Sequence, residues 1–295
     1  MQEDFKRILT LVDFSRASLH AAEEAAMIAS KFNSKLHLLH VSSNSRLSWI
    51  LAPEAYFFHV AESSRQQNQN NKARLQKLKT ELEERFGLNI EYHESNGKLC
   101  DTIRKYVDDL TIDLVVLGAK RKNWFKEFLF ETKAKDIIRS VDSEVLCVYP
   151  DSNSSRLKKI VLPIGKFIPR RKIRLAYELA KKFAANVHLI SLNNKGHSLS
   201  TEDTKILMAS YQYLKEITNI PIECRTVPGN NLAQATVQYA ENIGADLILV
   251  NAGSESFFKT PMLRRWGGNI VNHSSIPVLS VHAINEKTKQ GQYRA

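Results

Sequence analysis

Short apolar runs alternate with longer amphipathic stretches along the whole chain. In the first half the runs are RILTLV, KLHLLHV, NIEYH, DLVVLG and EVLCVY. They are almost continuous in hydrophobicity, as strands buried on both faces are. Between them, ASLHAAEEAAMIASKF carries apolar residues at helical spacing, and NKARLQKLKTELEERF places Leu75, Leu78 and Leu82 on one face with charges opposite. Alternation of strand and helix predicts an α/β fold, a parallel sheet covered by helices on both sides through right-handed crossovers. Five strands are expected in this half.

The pattern then returns. KRILTLVDFS at 6–15 is echoed by KKIVLPIGKF at 158–167, and SKFNSKLHLLHV at 30–41 by KKFAANVHLISL at 181–192, which matches His37 with His188. YVDDLTIDLVVLG at 106–118 is echoed by YAENIGADLILVN at 239–251, matching Asp113 with Asp246, and SEVLCVYP by SIPVLSVHA near the end. A period of this length is a domain and not a solenoid unit. The expected organisation is one domain over 1–150 and a more divergent copy over 151–295, with the boundary in the polar segment PDSNSSR.

At 295 residues, 43% apolar and 25% charged, the chain has enough apolar residues to bury a core in each copy. It holds no run of about 18 apolar residues that would cross a bilayer, and MQEDFKRILT lacks the apolar stretch of a secretory signal, so a cytoplasmic address without membrane insertion is expected. Three cysteines, Cys100, Cys147 and Cys224, lie too far apart to suggest a disulfide framework or a zinc cluster, and Cys147 reads as an inert core residue. Charge is uneven. Residues 1–150 carry 22 Lys and Arg against 21 Asp and Glu, a net of +1, and residues 151–295 carry 20 against 10, a net of +10. A basic half attracts acidic partners in general. Nucleic-acid binding is not expected, since charge alone supports it and no recognisable motif accompanies it.

ILTLVDFSRASLHAAEEAAMIASKFNSKLHLLHV, followed by DLVVLGAK and EVLCV, resembles the universal stress proteins, and the two copies together resemble a tandem member. The resemblance implies, for each copy, a doubly wound five-stranded sheet in the order 3-2-1-4-5. It also implies that any nucleotide lies between the ends of strands one and four, the topological switch point. In members that bind ATP, an aspartate ends strand one, backbone after strand two meets adenine, and a loop of glycine, two residues, glycine, nine residues, glycine and a hydroxyl residue holds ribose and phosphates. Carried over, Asp13 matches the aspartate, Val41 the adenine position, Gly118 the first glycine and Thr132 the hydroxyl. Arg121 and Glu131 replace the second and third glycines, where close approach to phosphate or positive φ calls for glycine. In the second copy Gly165 replaces the aspartate, and Asn251, Ser254, Arg264 and Arg265 fill the loop positions. Aromatic pairs, Trp124 with Phe125 and Phe257 with Phe258, stand at matching points of both loops.

These departures lead to the expectation of a regulatory or protective binding protein, not an enzyme, with no cofactor and no ATP held in the usual family way. The alternative keeps ATP or AMP at a residual site of Asp13, Val41, Gly118 and Thr132. Arg170 and Arg171, with Arg264 and Arg265, are candidates for holding an anion, against the plainer reading of a solvated basic face. No metal site is expected, because His37 and His40 lie three apart on a strand and point to opposite faces. The apolar segment 46–60, with Trp49, Ile50, Leu51, Tyr56, Phe57 and Phe58, suits a protein partner or subunit contact. The resemblance implies pairing through the last strands, so EVLCVYP and PVLSVHA are the candidates for joining the copies as an internal pseudo-dimer or two chains as a homodimer.

Overall fold

The computed structural model describes residues 5–42, 56–119, 131–150, 152, 157–193, 201–229, 231–252 and 276–282, with the backbone alone for 56–68, 131–135 and 201–202. In the first half the order is β1 (Arg7–Leu11), α1 (Arg16–Phe32), β2 (Lys35–Ser42), α2 (Tyr56–Phe86), β3 (Ile90–Asn96), α3 (Leu99–Asp109), β4 (Leu114–Gly118), α4 (Glu131–Ser140) and β5 (Glu144–Val148). The second half repeats it as β6 (Lys159–Pro163), α5 (Arg170–Phe183), β7 (Asn186–Asn193), α6 (Thr201–Ile217), β8 (Ile222–Pro228), α7 (Leu232–Ile243), β9 (Leu247–Asn251) and β10 (Val278–Val281).

The ten described strands form one sheet in the order β3-β2-β1-β4-β5-β10-β9-β6-β7-β8. Each half is therefore the expected 3-2-1-4-5 arrangement, parallel throughout. Among the described residues the one antiparallel pairing is the seam, where Val278, Leu279 and Ser280 of β10 face Cys147, Leu146 and Val145 of β5. The last strands do pair the two halves.

Buried side chains alternate along every central strand, so both sheet faces are dry. Ile8, Leu36, Leu38, Leu114, Leu146, Leu162 and Leu279 face α1, α2, α5 and α6, while Leu9, Leu39, Val115, Val145, Ile190 and Val278 face α3, α4 and α7. Helix α1 lies close against the sheet because its inner stripe is alanine. Ala21, Ala22, Ala25, Ala26 and Ala29 are all fully buried. Ser15 caps its start by accepting from Ser18 N, and Asn33 ends it in the left-handed conformation at φ 55°. Asp113 and Asp246 do the same work in each half. Each Oδ2 accepts two successive backbone N–H groups, from Lys6 and Arg7 at 2.8 and 2.9 Å and from Lys158 and Lys159 at 2.8 and 2.9 Å, fixing where β1 and β6 begin.

Two features differ from the sequence expectation. Helix α2 begins at Tyr56, well before the apolar stripe of Leu75, Leu78 and Leu82. Its start lies in the apolar segment 46–60, and residues 62–71 that follow are polar throughout, so no periodicity joins its start to the leucine stripe. The basic cluster at the start of α5 is also not one solvated face. Lys172 is fully buried and its Nζ donates to Pro163 O at 2.6 Å. Arg171 donates to Glu144 Oε1 of β5 across the seam, and the Arg170 guanidinium lies 5.7 Å from the Tyr213 ring centre.

Candidate functional site

The carboxyl ends of β1, β2 and β4 bring Asp13, Val41 and Gly118 to the same edge of the first half, where a doubly wound sheet takes its ligands. The local turn after β1 is closed on itself. Asp13 Oδ1 accepts from Ser15 N at 2.9 Å, Asp13 N donates to Ser18 Oγ at 3.2 Å, and Ser18 Oγ donates to Ser15 O at 3.1 Å. The carboxylate is thus the acceptor of an Asx turn leading into α1.

Within that turn Phe14 takes φ 61°, a left-handed conformation that is costly for a bulky residue. Its ring is held from two sides. The Arg74 guanidinium of α2 sits 3.9 Å over the ring centre, and the His40 ring of β2 lies 5.3 Å away at 41°. His40 is fixed in turn. Its Nδ1–H donates to Val12 O at 2.7 Å, leaving Nε2 to accept from Asn71 Nδ2 at 3.1 Å. An aromatic ring, a guanidinium and a locked imidazole therefore crowd the mouth between β1 and β2. Phe14 and Arg74 carried no sequence signal of this, since the contact joins a turn to a helix far along the chain.

Gly118 ends β4, and the reason for a glycine is visible in the packing. A Cβ at this position would lie 2.3 Å from Ala17 O and 2.5 Å from Ala17 C, backbone atoms at the start of α1. Close approach of helix to strand requires glycine here whether or not a phosphate is bound. Thr132 is the second residue of α4, and its side chain lies outside the described residues. The N-terminus of α4 would favour an anion, but its first residue is Glu131, a carboxylate of the chain itself. Val41 pairs in register with Ser95 of β3.

In the second half, Asn251 is buried at the end of β9, and Gly165 follows β6. Ser254, Arg264, Arg265, Phe257 and Phe258 lie outside the described residues, as do Arg121, Trp124 and Phe125 of the first half and Trp49, Ile50 and Leu51 of the apolar segment. Of the four arginines considered as anion ligands, Arg170 and Arg171 are engaged separately, on Tyr213 and Glu144.

A second group of polar side chains lies on the opposite sheet face, between β2 and β3. His37 is buried beneath Glu91, its register partner, with His93 two residues along β3. His37 Nδ1 stands 3.1 Å from His93 Nε2 and 3.4 Å from Glu91 Oε2, and Lys35 Nζ holds Glu91 Oε1 at 2.5 Å. Burial, with His93 beside it, lowers the His37 pKa to about 4, so this imidazole is neutral at neutral pH. Burial also lowers His93, and the Lys35 hydrogen bond lowers Glu91. His37 and His40 do point to opposite faces. Spacing along one strand could not reveal the group because its other members come from the neighbouring strand. Cys147, in contrast, is wholly buried and its thiol is pushed up to about 12 by desolvation, which leaves it chemically inert.

Among known proteins, a universal stress protein of Methanocaldococcus jannaschii is 26% identical over 144 residues, 49% of this chain and 82% of that one. The solved structure of a universal stress protein from Archaeoglobus fulgidus aligns over 96% of this chain and 99% of its own, with a TM-score of 0.71 at 17% identity. A structure from Pseudomonas aeruginosa described as a putative universal stress protein aligns over 94% of this chain and 93% of its own, with a TM-score of 0.57 at 16% identity. These likenesses concern the fold. No described helix is long and apolar enough to cross a membrane. Residues 4–149 match the sequence model of the universal stress protein family, and the chain belongs to that family.

Proposed function

We propose that this protein works by binding and not by catalysis, as a regulatory or protective stress protein of the cytoplasm, and that it does not take ATP in the manner of the family's nucleotide-binding members. The observation that supports this reading is the turn after β1. Its Asp13 carboxylate accepts from Ser15 N, and the adjoining Phe14 ring is clamped between Arg74 and His40. A nucleotide that used the Asp13 carboxylate would have to compete with the Ser15 N–H already bonded to it. Replacement of both later glycines of the loop by Arg121 and Glu131 supports the same conclusion.

A rival reading keeps ATP or AMP on Asp13, Val41, Gly118 and Thr132, favoured by the convergence of the first three at the switch point. Titration calorimetry with ATP, ADP and AMP on protein stripped of small molecules separates the two. No saturable heat is expected. Saturable binding that Asp13→Ala abolishes would install the rival.

A further inference from the structure

We infer that His37, Glu91 and His93 form a binding site for one divalent transition-metal ion on the edge of the first half. The three side chains each offer a ligand atom, and these atoms all lie within 4.8 Å of one another. Bonds of about 2.0–2.1 Å to a tetrahedral zinc place neighbouring ligand atoms about 3.3 Å apart. The His37 Nδ1 separations of 3.1 Å to His93 Nε2 and 3.4 Å to Glu91 Oε2 lie close to that edge length before any ion is added.

The surroundings support the ligands. His37 is held by burial at 1% exposure, and packing alone orients its ring, since its far nitrogen, Nε2, is buried with no hydrogen-bond partner among the described residues. Lys35 anchors Glu91 through Oε1 and leaves Oε2 as a single ligand atom, the outer-shell orientation that metal carboxylates need. Tyr106 of α3 packs on the His93 ring at 5.2 Å. The Glu91 side chain is 44% exposed, so the site opens to solvent on one side and a water can complete the shell. Two imidazoles and one carboxylate suit zinc, cobalt, nickel or copper, and not calcium or magnesium, which take oxygen sets.

The second half supplies an internal comparison. His188 faces Glu223 in the same register, but Ile190 faces Arg225 where Leu39 faces His93. Arg225 Nε donates to Glu223 Oε2 at 3.2 Å, and His188 Nδ1 is 3.1 Å from Tyr239 Oη. The Arg225 guanidinium there pairs with the carboxylate that the metal would use. The inference is one metal site per chain, not two.

The test uses untagged full-length protein, treated with chelator and then titrated with Zn²⁺, with bound metal measured by elemental analysis after desalting. About one Zn²⁺ per chain is expected, with a rise in Tm. Co²⁺ loading should give the visible absorption of a low-coordinate site. His93→Arg, which copies the second half at a half-exposed position, should remove the uptake and the Tm rise while leaving the circular dichroism unchanged. Arg225→His should raise uptake toward two per chain. No stoichiometric uptake by the wild type, or uptake that survives His93→Arg, overturns the inference.

Discussion

Gly118 is the residue at which a ligand motif and a packing requirement coincide, and the two can be separated. With backbone atoms of Ala17 within 2.5 Å of where a Cβ would stand, Gly118→Ala must push α1 off β4. A loss of about 2–4 kcal/mol is expected in urea unfolding of ligand-free protein, because backbone atoms cannot yield as a flexible side chain does. Unchanged stability would return this glycine to a purely ligand-binding role. His188 makes a different kind of prediction. Burial holds its pKa below the ordinary 6.5, so the unfolded chain takes up the proton first as pH falls. The neutral ring's contribution is complete above that value and is lost as pH falls through it toward the lower folded pKa. His188→Gln should therefore flatten the acid side of the plot of unfolding free energy against pH. An unchanged slope would show that another group sets it.

At the scale of elements, the strands were legible and the joints between them were not. The apolar runs marked β1, β2, β4 and β5 because doubly covered strands are apolar at nearly every position. The start of α2 escaped notice, since Tyr56, Phe57 and Phe58 read as part of an apolar segment and the polar residues 62–71 behind them have no face to count. The partners of His37 and Phe14 were hidden for a deeper reason. Strand pairing and helix docking decide which distant residues meet, and spacing along one segment carries no record of it. Glu144 and Arg171 are the case with the clearest cost. Glu144 sits on β5 with its side chain 4% exposed, accepts from Arg171 Nε and from His282 N at 2.8 Å, and burial raises its pKa. Arg171→Ala strands that carboxylate and should cost about 2–3 kcal/mol, below the range for a wholly dry pair because the arginine is a third exposed. Glu144→Gln keeps a neutral acceptor and should cost less. Equal losses in urea unfolding would mean that burial of the charge is not what the arginine offsets.

Across the whole molecule, β5 and β10 each cover an edge that would otherwise be open. Val145, Leu146 and Cys147 are buried, and they pair in register with Ser280, Leu279 and Val278. Residues 1–150 produced alone should therefore self-associate through β5, while the full chain should keep its mass on dilution through the same concentrations. Sedimentation of both species checks this, and a monomeric, equally stable half would show that the seam contributes little. The seam has one more result. In a homodimer built on such a strand pair, every substitution appears on both sides of the axis. Here the partner is carried on the same chain, at an effective concentration that dilution does not change. His93 in one half and Arg225 in the other can therefore coexist in a fixed one-to-one ratio, and the chain behaves as an obligate heterodimer encoded as one polypeptide.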